Sequence, residues 1–188
     1  MATTEPIRSK EDFRAIAQFF LEKGQYRNYV MVVLGAYTAL RVSDLLRLKW
    51  QDVYDEAKQS YYRHLAITEQ KTGKHKIIAL NDAAISALEL YYPHRSGKFI
   101  FQSRSGSSHI TRNQAWRIIS SAAKEVGVDG HIACHSLRKT FGYHCWVNGI
   151  SPVVIMDIYN HSSYNVTKRY LGIAQDDIDE AYLGMELL

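Results

Sequence analysis

Apolar residues recur at helical spacing through most of this 188-residue chain, and the pattern changes to strand-like alternation between Val53 and Leu80. A helical pattern with one short β-branched stretch restricts the fold to a helical domain that carries a small sheet. The length suits one domain with a buried core. We therefore predict a mainly α fold with a small antiparallel β-sheet, which belongs to the α+β class.

The strand-like stretch is expected to form a hairpin. Residues 62–68 and 75–80 have the composition of two strands, and the five residues between 69 and 75 contain Gly73, which can supply the turn. Lys71 would then lie at the tip of the hairpin. Most turn lysines are simply solvated, so this position alone does not indicate function.

Caps and glycines divide the helical part into separate elements. Ser9, Asn81, Thr111 and Ser151 are typical helix N-caps, and Gly24, Gly127 and Gly149 are typical of helix ends. We predict helices from the Ser9 cap to Gly24, over 27–40, 41–50, 82–91, 112–126, from 134 to the Gly149 cap, over 153–159, around 166–171 and over 175–188. Residues 98–101 are expected to form a short strand or a buried extended piece.

Charge and cysteine content limit the classes of partner. Lysine and arginine number 23 against 19 acidic residues, which gives a net charge of +4 and a pI near 9.0. This mild basic excess permits a polyanion partner without proving one. Cys134 and Cys145 form no C-x-x-C pair, so neither a disulfide framework nor a zinc ribbon is indicated.

The N-terminal residues lack the features of a signal peptide. The longest apolar run, over about 29–40, is shorter than the ~20 residues that cross a bilayer. These observations predict a cytoplasmic protein with no membrane partner.

His135 and Arg138 lie three residues apart in a predicted helix and therefore share one face near its start. A histidine and a guanidinium beside free backbone N–H groups suit a phosphate. The pattern is weak by itself, because a helix with one hydrogen-bonded histidine and one solvated arginine would have the same sequence.

Arg41 follows eleven residues that are nearly all apolar or small. A guanidinium in such surroundings is costly unless it has a partner, and Asp44, three residues later, could hold it. A purely structural pair of Arg41 and Asp44 is the alternative interpretation.

Six side chains together fit the chemistry of phosphodiester cleavage. Two arginines can bind the nonbridging oxygens of a phosphate, and a tyrosine can attack phosphorus if a base or a positive field assists its ionisation. A histidine can act as that base, a lysine can protonate the leaving oxygen, and a second histidine can bind the phosphate. The candidates for these roles are Arg41, Arg138, Tyr170, His135, Lys71 and His161.

The order of these residues resembles the catalytic domain of the tyrosine recombinases, the phage integrase family. The matching segments are A-L-Arg41-V-S-Asp44-L-L-x-L-x-W, Q-Lys71-T-G-K, His135-S-L-Arg138-K-T, N-His161-S-S and T-K-R-Tyr170-L. Each segment is weak alone, but together they follow the family's order over about residues 10–175. The nine-residue spacing from His161 to Tyr170 is the most specific part.

The resemblance implies an enzyme that breaks and rejoins DNA strands without a metal or nucleotide cofactor. Tyr170 would form a 3′-phosphotyrosine intermediate, Lys71 would be the hairpin lysine, His135 would occupy the position of the general base, and Asp44 would support Arg41. The implied role is site-specific recombination for integration or excision of a mobile element or prophage. Chromosome dimer resolution within the same family is the alternative.

The resemblance also implies partners and a domain arrangement. The partner would be double-stranded DNA, on which the family acts as a homotetramer, and the localisation would be nucleoid-associated. We expect residues 1–188 to form a single catalytic domain, a fragment without the N-terminal core-binding domain and monomeric in isolation. The tail over 175–188 could pack against a neighbouring protomer or its own domain.

Two positions depart from the family pattern. The family usually has Leu-Gly-His where this chain has Tyr159-Asn160-His161, and Lys139 stands where many members carry a histidine. Neither change removes a charge from the predicted site, but the first places a bulkier residue where positive φ is needed.

Three other interpretations remain. A zinc cluster could be drawn from His131, Cys134, His135 and His144, although no ligand spacing matches, and loss of activity with EDTA would favour it. A catalytically silent DNA-binding module of the same fold is the second. A type IB topoisomerase shares the chemistry, but the spacing is closer to that of integrases.

Overall fold

The computed structural model describes residues 4–171, 179 and 182–185. Between residues 4 and 171 helices dominate, as the sequence predicts. They are α1 (Lys10–Glu22), α2 (Tyr26–Tyr37), α3 (Val42–Leu46), α4 (Asp82–Tyr91), α5 (Arg112–Glu125), α6 (Cys134–Val147), α7 (Pro152–Tyr159) and α8 (Tyr164–Leu171), with short 3-10 helices at Trp50–Asp52 and Tyr92–His94.

The strands form two small antiparallel pairs. Strand β1 (Tyr54–Asp55) pairs with β2 (Ser60–Tyr61), and β3 (His64–Thr68) pairs with β4 (His75–Ala79). The β3–β4 hairpin is the one that the alternating pattern predicts, and Gly73 in its turn has φ +67°. The predicted fold class is therefore confirmed.

The structure differs from the predictions at three places along the chain. The helix predicted over 41–50 ends at Leu46, because the Asp52 carboxylate accepts the backbone N–H of Lys49 and begins a separate 3-10 turn. Strand-like pairing in residues 98–101 is limited to one bridge between Lys49 and Phe99, and Ile100 and Phe101 are buried. The pair of β1 and β2 was not predicted as a separate unit. The tail helix predicted over 175–188 lies mostly outside the described residues.

Helix α2 occupies the centre of the main core. Its residues 30–36 are all buried, and it packs against α1, α4 and α6. Gly35 allows α6 to approach closely, since a Cβ at this position would lie 2.6 Å from Cδ1 of Leu137. The close packing places the first turns of α6 beside the residues that follow α2.

A second apolar cluster joins α6, α7 and α8. Ala39, Ile155, Tyr159 and Leu171 are buried there. This cluster brings the predicted residues of α6 and α8 together with the end of α7. Within the described residues, no helix has the length and apolar character needed to span a bilayer.

Candidate active site

Arg138 is the centre of the candidate site. Its side chain is only 1% exposed, its Nη1 donates to the carbonyl of Ala39, and its Nη2 donates to the carbonyl of Tyr159 at 3.1 Å. The guanidinium also lies over the Tyr159 ring, 4.5 Å from its centroid. The Nε atom is buried without a hydrogen-bond partner among the described residues. A buried unpaired donor on a fixed cation is expected where an anion binds.

The backbone at Ala39 is strained where it meets this guanidinium. Ala39 has φ +54° and is 1% exposed. Left-handed conformations of residues other than glycine cost roughly 1–3 kcal/mol and cluster at functional sites. Here the unusual conformation presents the Ala39 carbonyl to Arg138.

Arg41 pairs with a residue that the sequence analysis did not single out. It is the N-cap of α3, and its Nη1 lies 2.8 Å from Oε1 of Glu69, which is completely buried. The positive charge of Arg41 lowers the pKa of His135, Arg138 and His161. Arg41 therefore lies in the same pocket as these three residues.

In the described structure Arg41 and Asp44 share no ion pair or hydrogen bond, so Asp44 does not hold Arg41 directly. Arg41 has extended backbone angles, φ −67° and ψ 145°, so it is not on the helical face that carries Asp44. Asp44 is buried and its Oδ1 accepts the backbone N–H of Gln70 at 3.0 Å. It anchors the start of the hairpin turn to α3.

Lys71 is exposed in the hairpin turn and makes no hydrogen bond or ion pair with another described residue. A different lysine of the hairpin reaches the pocket. Lys76 Nζ lies 3.1 Å from Oε1 of Glu69 and donates to the carbonyl of Ile158. Burial lowers the pKa of Lys76, and the charges of Arg138 and Arg41 lower it further, while Glu69 raises it.

Tyr170 lies among the rings of the pocket. Its ring centroid is 4.5 Å from that of His161, 5.0 Å from that of His135 and 5.2 Å from that of Tyr159. Its side chain is partly exposed. The structure therefore places the predicted nucleophile between the two predicted histidines.

Both histidines are neutral at pH 7 in this environment. Burial, followed by the charges of Arg138, Lys139 and Arg41, lowers the pKa of His135 to about 4. Burial and the charges of Arg138 and Arg41 likewise lower the pKa of His161 to about 4. A neutral imidazole can accept a proton, which is what a general base requires.

The hydrogen bond of His161 fixes its orientation. Its Nδ1 lies 3.0 Å from Oγ1 of Thr167, a completely buried residue of α8. This bond leaves Nε2 available. Thr167 stands three residues before Tyr170, so one helix orients the histidine and carries the tyrosine.

The two family departures have structural explanations. Asn160 ends α7 with φ +54°, and its Nδ2 donates to Oε2 of Glu69 at 3.1 Å. Tyr159 is buried, and its hydroxyl donates to the carbonyl of Arg138 at 2.6 Å. Lys139 Nζ donates to the carbonyl of Thr4 at 2.6 Å.

Sequence reasoning missed Glu69, Lys76, Thr167 and the role of Tyr159. An acidic residue directly after a strand and beside a turn was the available signal for Glu69, but the pattern gave no reason to bury it. Among the described residues, no group of three or more His, Cys, Asp or Glu side chains could hold a metal ion. The zinc cluster drawn from His131, Cys134, His135 and His144 therefore has no support in their arrangement.

An open apolar groove of about 430 Å³ lies elsewhere, between α1, α2 and α6. Phe13, Tyr37, Phe141 and Ile150 line it, and none of the predicted site residues does. The candidate site therefore lies outside this groove.

Comparison with known proteins identifies the same region. The model of the phage integrase family matches residues 9–176. The probable integrase/recombinase YoeC of Bacillus subtilis (strain 168) is 36% identical over 183 residues, with 97% of each protein covered. The tyrosine recombinase XerD of Listeria innocua is 26% identical over 165 residues, which cover 83% of this chain and 53% of XerD. The chain thus spans nearly all of the first relative and about half of the second.

Solved structures share the fold. The crystal structure of XerA recombinase superposes with a TM-score of 0.77 at 22% identity, covering 100% of this chain and 66% of that one. The Tn1549 transposon integrase in complex with a circular intermediate DNA gives 0.73 at 19% identity, covering 98% of this chain and 66% of that one. At these identities the likeness establishes the fold alone.

Proposed function

The chain belongs to the phage integrase family, and from this premise we propose that it is the catalytic domain of a site-specific tyrosine recombinase that cleaves and rejoins DNA strands. The observation that carries the proposal is the position of the Tyr170 ring between two neutral histidines, in a pocket that holds two arginines. The unpaired Nε of Arg138 gives the pocket a buried donor for a phosphate oxygen.

In the cleavage step, the Tyr170 hydroxyl oxygen attacks the scissile phosphorus. The bond to the 5′ oxygen breaks, a 3′-phosphotyrosine forms, and His135 accepts the phenolic proton. Arg41 and Arg138 bind the nonbridging oxygens, where negative charge accumulates in the transition state. His161 contributes a further hydrogen bond to the phosphate.

The leaving 5′ oxygen must gain a proton. We assign this role to Lys71, whose exposed place at the hairpin turn allows it to contact DNA that lies over the pocket. Rejoining reverses the proton transfers, because a 5′-hydroxyl attacks the phosphotyrosine and the phenol leaves. The covalent bond conserves the energy of the phosphodiester, so the cycle consumes no nucleotide.

The biological role proposed is integration or excision of a mobile element or prophage, on double-stranded DNA and as a homotetramer. The first relative is named an integrase/recombinase and matches along nearly its whole length. The likeness to XerD supports chromosome dimer resolution as the second candidate. We also propose that residues 1–188 act as one catalytic domain.

Covalent trapping tests the nucleophile. The protein is incubated with a nicked suicide duplex that carries its recombination site, and the products are separated under denaturing conditions. We expect a protein–DNA adduct that is absent in Tyr170→Phe and retained in the matched variant Tyr182→Phe, since Tyr182 is 80% exposed. An adduct in Tyr170→Phe would overturn the assignment.

A sulfur leaving group tests the general acid. A 5′-bridging phosphorothiolate releases a thiol that leaves without prior protonation, because its pKa is far below that of an alcohol. Lys71→Ala should cleave the ordinary duplex slowly and the phosphorothiolate at nearly the normal rate. If the phosphorothiolate restores the cleavage rate of Lys76→Ala but not that of Lys71→Ala, Lys76 is the general acid instead.

A further inference from the structure

Glu69 is a buried carboxylate with four side-chain partners from several elements. Its Oε1 lies 2.8 Å from Arg41 Nη1 and 3.1 Å from Lys76 Nζ. Its Oε2 accepts hydrogen bonds from Thr72 Oγ1 at 2.7 Å and from Asn160 Nδ2 at 3.1 Å. Oε2 is therefore hydrogen-bonded, whereas Oε1 is held by two ion pairs without a hydrogen bond, and the residue is 0% exposed.

Such burial is costly for a carboxylate unless cations and donors compensate for the lost water. Burial alone would raise the pKa of Glu69, but the bonds from Thr72, Arg41 and Lys76 together lower it to about 2. Glu69 is consequently ionised at neutral pH. One negative charge then balances part of the positive charge that Arg41, Lys76 and Arg138 bring to the pocket.

The contact with Arg41 uses one side of the guanidinium. Only Nη1 meets Glu69, and the side chain of Arg41 remains 20% exposed. Nη1 makes an ion pair with Glu69 without a hydrogen bond, and no hydrogen bond from Nε or Nη2 joins Arg41 to a described residue. A guanidinium held in this way has its orientation fixed while donors remain for a phosphate.

Asn160 contacts Glu69 from the end of α7. It ends α7 in the left-handed conformation, which glycine adopts at no cost and asparagine adopts more readily than most residues. The amide also reaches Glu69, so an asparagine here has a use that a glycine would not have. The next residue in the chain is His161.

From these contacts we propose that Glu69 is a positioning residue of the recombination reaction, which fixes Arg41 for phosphate binding and is itself oriented by Asn160. This inference rests on the proposed function. Glu69 follows the last residue of β3, Arg41 caps α3, and Asn160 ends α7. A single carboxylate thus fixes the hairpin, the first arginine and the turn before His161 relative to one another.

The test is a double-mutant cycle on single-turnover cleavage, measured with saturating protein and a nicked duplex. Glu69→Gln should slow cleavage by roughly 10- to 100-fold, the range expected for coupled neighbours. Because Glu69 acts through Arg41, adding Glu69→Gln to Arg41→Ala should slow the reaction by less than about 2-fold more. Full effects of both changes in the double variant would overturn the proposal.

Glu69→Gln leaves two buried cations with less compensation, so the variant could fold poorly. The charge-balanced variant Glu69→Gln/Lys76→Met removes one charge of each sign and should fold, yet should still cleave slowly. Thermal unfolding is measured for every variant. Normal cleavage by a folded charge-balanced variant would contradict the role of Glu69.

Asn160→Gly is the mildest variant, because glycine accepts the same backbone angles and removes only the amide. It should slow cleavage several-fold, with DNA affinity unchanged, whereas the surface control Glu89→Gln should have no effect. A normal rate in Asn160→Gly would remove Asn160 from the arrangement. If the wild-type protein forms no adduct through Tyr170, the proposed function fails, and this outcome is distinct from a normal rate in the Glu69 variants.

Discussion

At the scale of single residues, the two arginines differ in how they are held. Arg138 is fixed by two main-chain carbonyls and an aromatic ring, and Arg41 by one buried carboxylate. Carbonyl groups orient a guanidinium without neutralising it, so Arg138 keeps its full charge for a phosphate. The positive charge of Arg41 is partly balanced by the carboxylate of Glu69.

This difference leads to a prediction for Arg138→Lys. The lysine retains the charge but cannot donate to two carbonyls and a phosphate at once, because it has no planar fork. We expect single-turnover cleavage to fall by about 10²–10³, which corresponds to roughly 3–4 kcal/mol, as for other lost oxyanion donors. The exposed Arg117 provides the matched control, and Arg117→Lys should cleave normally. Cleavage by Arg138→Lys within a few-fold of normal would contradict the proposed fork.

The sequence identified Arg41 as a costly charge but not its partner. Asp44 lies at helical spacing from Arg41, and this spacing applies only when both residues are inside the helix. Arg41 is the N-cap with extended angles, and its partner Glu69 is brought near by the chain reversal between α3 and the hairpin. Local periodicity carries no information about such a contact. The same reason explains why Lys76 was missed.

At the scale of secondary-structure elements, two glycines allow close packing of α6. A Cβ at Gly35 would lie 2.6 Å from Leu137, and a Cβ at Gly142 would lie 2.3 Å from the Tyr159 hydroxyl. The first contact is in the main core, and the second is against the residue that supports Arg138. A substitution at Gly35 is therefore expected to affect stability alone, whereas a substitution at Gly142 is expected to affect both stability and the support of Arg138.

We predict that Gly35→Ala and Gly142→Ala both destabilise the protein, each by about 1–3 kcal/mol, as overpacking usually does. Gly142→Ala should in addition slow cleavage, because displacement of Tyr159 moves the carbonyl and the ring that hold Arg138. Urea unfolding and single-turnover cleavage measure the two effects. Equal cleavage rates in the two folded variants would show that the position of Tyr159 does not matter for the reaction.

The elements themselves were largely predictable because their signals are local. Ser9, Asn81, Thr111 and Ser151 accept the backbone N–H groups expected of N-caps, and the alternating residues form the β3–β4 hairpin. The differences occur between Leu46 and Phe99, where a 3-10 turn replaces the end of a longer helix and Phe99 forms a single bridge. These features depend on Asp52 and on a contact about fifty residues away, which no periodicity reveals.

At the scale of the whole molecule, the pocket links charge to stability. It brings Arg41, Arg138, Lys76 and one carboxylate close to two histidines, and burial together with the nearby cations lowers the pKa of both histidines to about 4. Protonation of either histidine would add a positive charge to this buried and cationic environment, so the pocket has an electrostatic cost that appears when protons are added.

The direction of the pH effect follows from the pKa shifts. The pKa values of His135 and His161 are about 4 in the folded protein and about 6.5 when unfolded, so between these values the unfolded chain binds more protons. Stability from this source is complete above about pH 6.5 and is lost as the pH falls to about 4. Glu69, with a pKa of about 2 against 4.5 unfolded, extends the loss below about pH 4.5.

We therefore predict that the free energy of unfolding, measured with urea, falls when the pH is lowered from about 7 to about 5. Each of the two histidines contributes up to about 2 kcal/mol to this fall, and the contribution is smaller where solvent screens a partly exposed ring. His135→Gln/His161→Gln should reduce this fall, since glutamine does not titrate. His144, whose pKa burial also lowers, should retain a smaller dependence of the same sign in that variant. Equal stability of the wild-type protein at the two pH values would mean that the cations do not act on these histidines as the structure indicates.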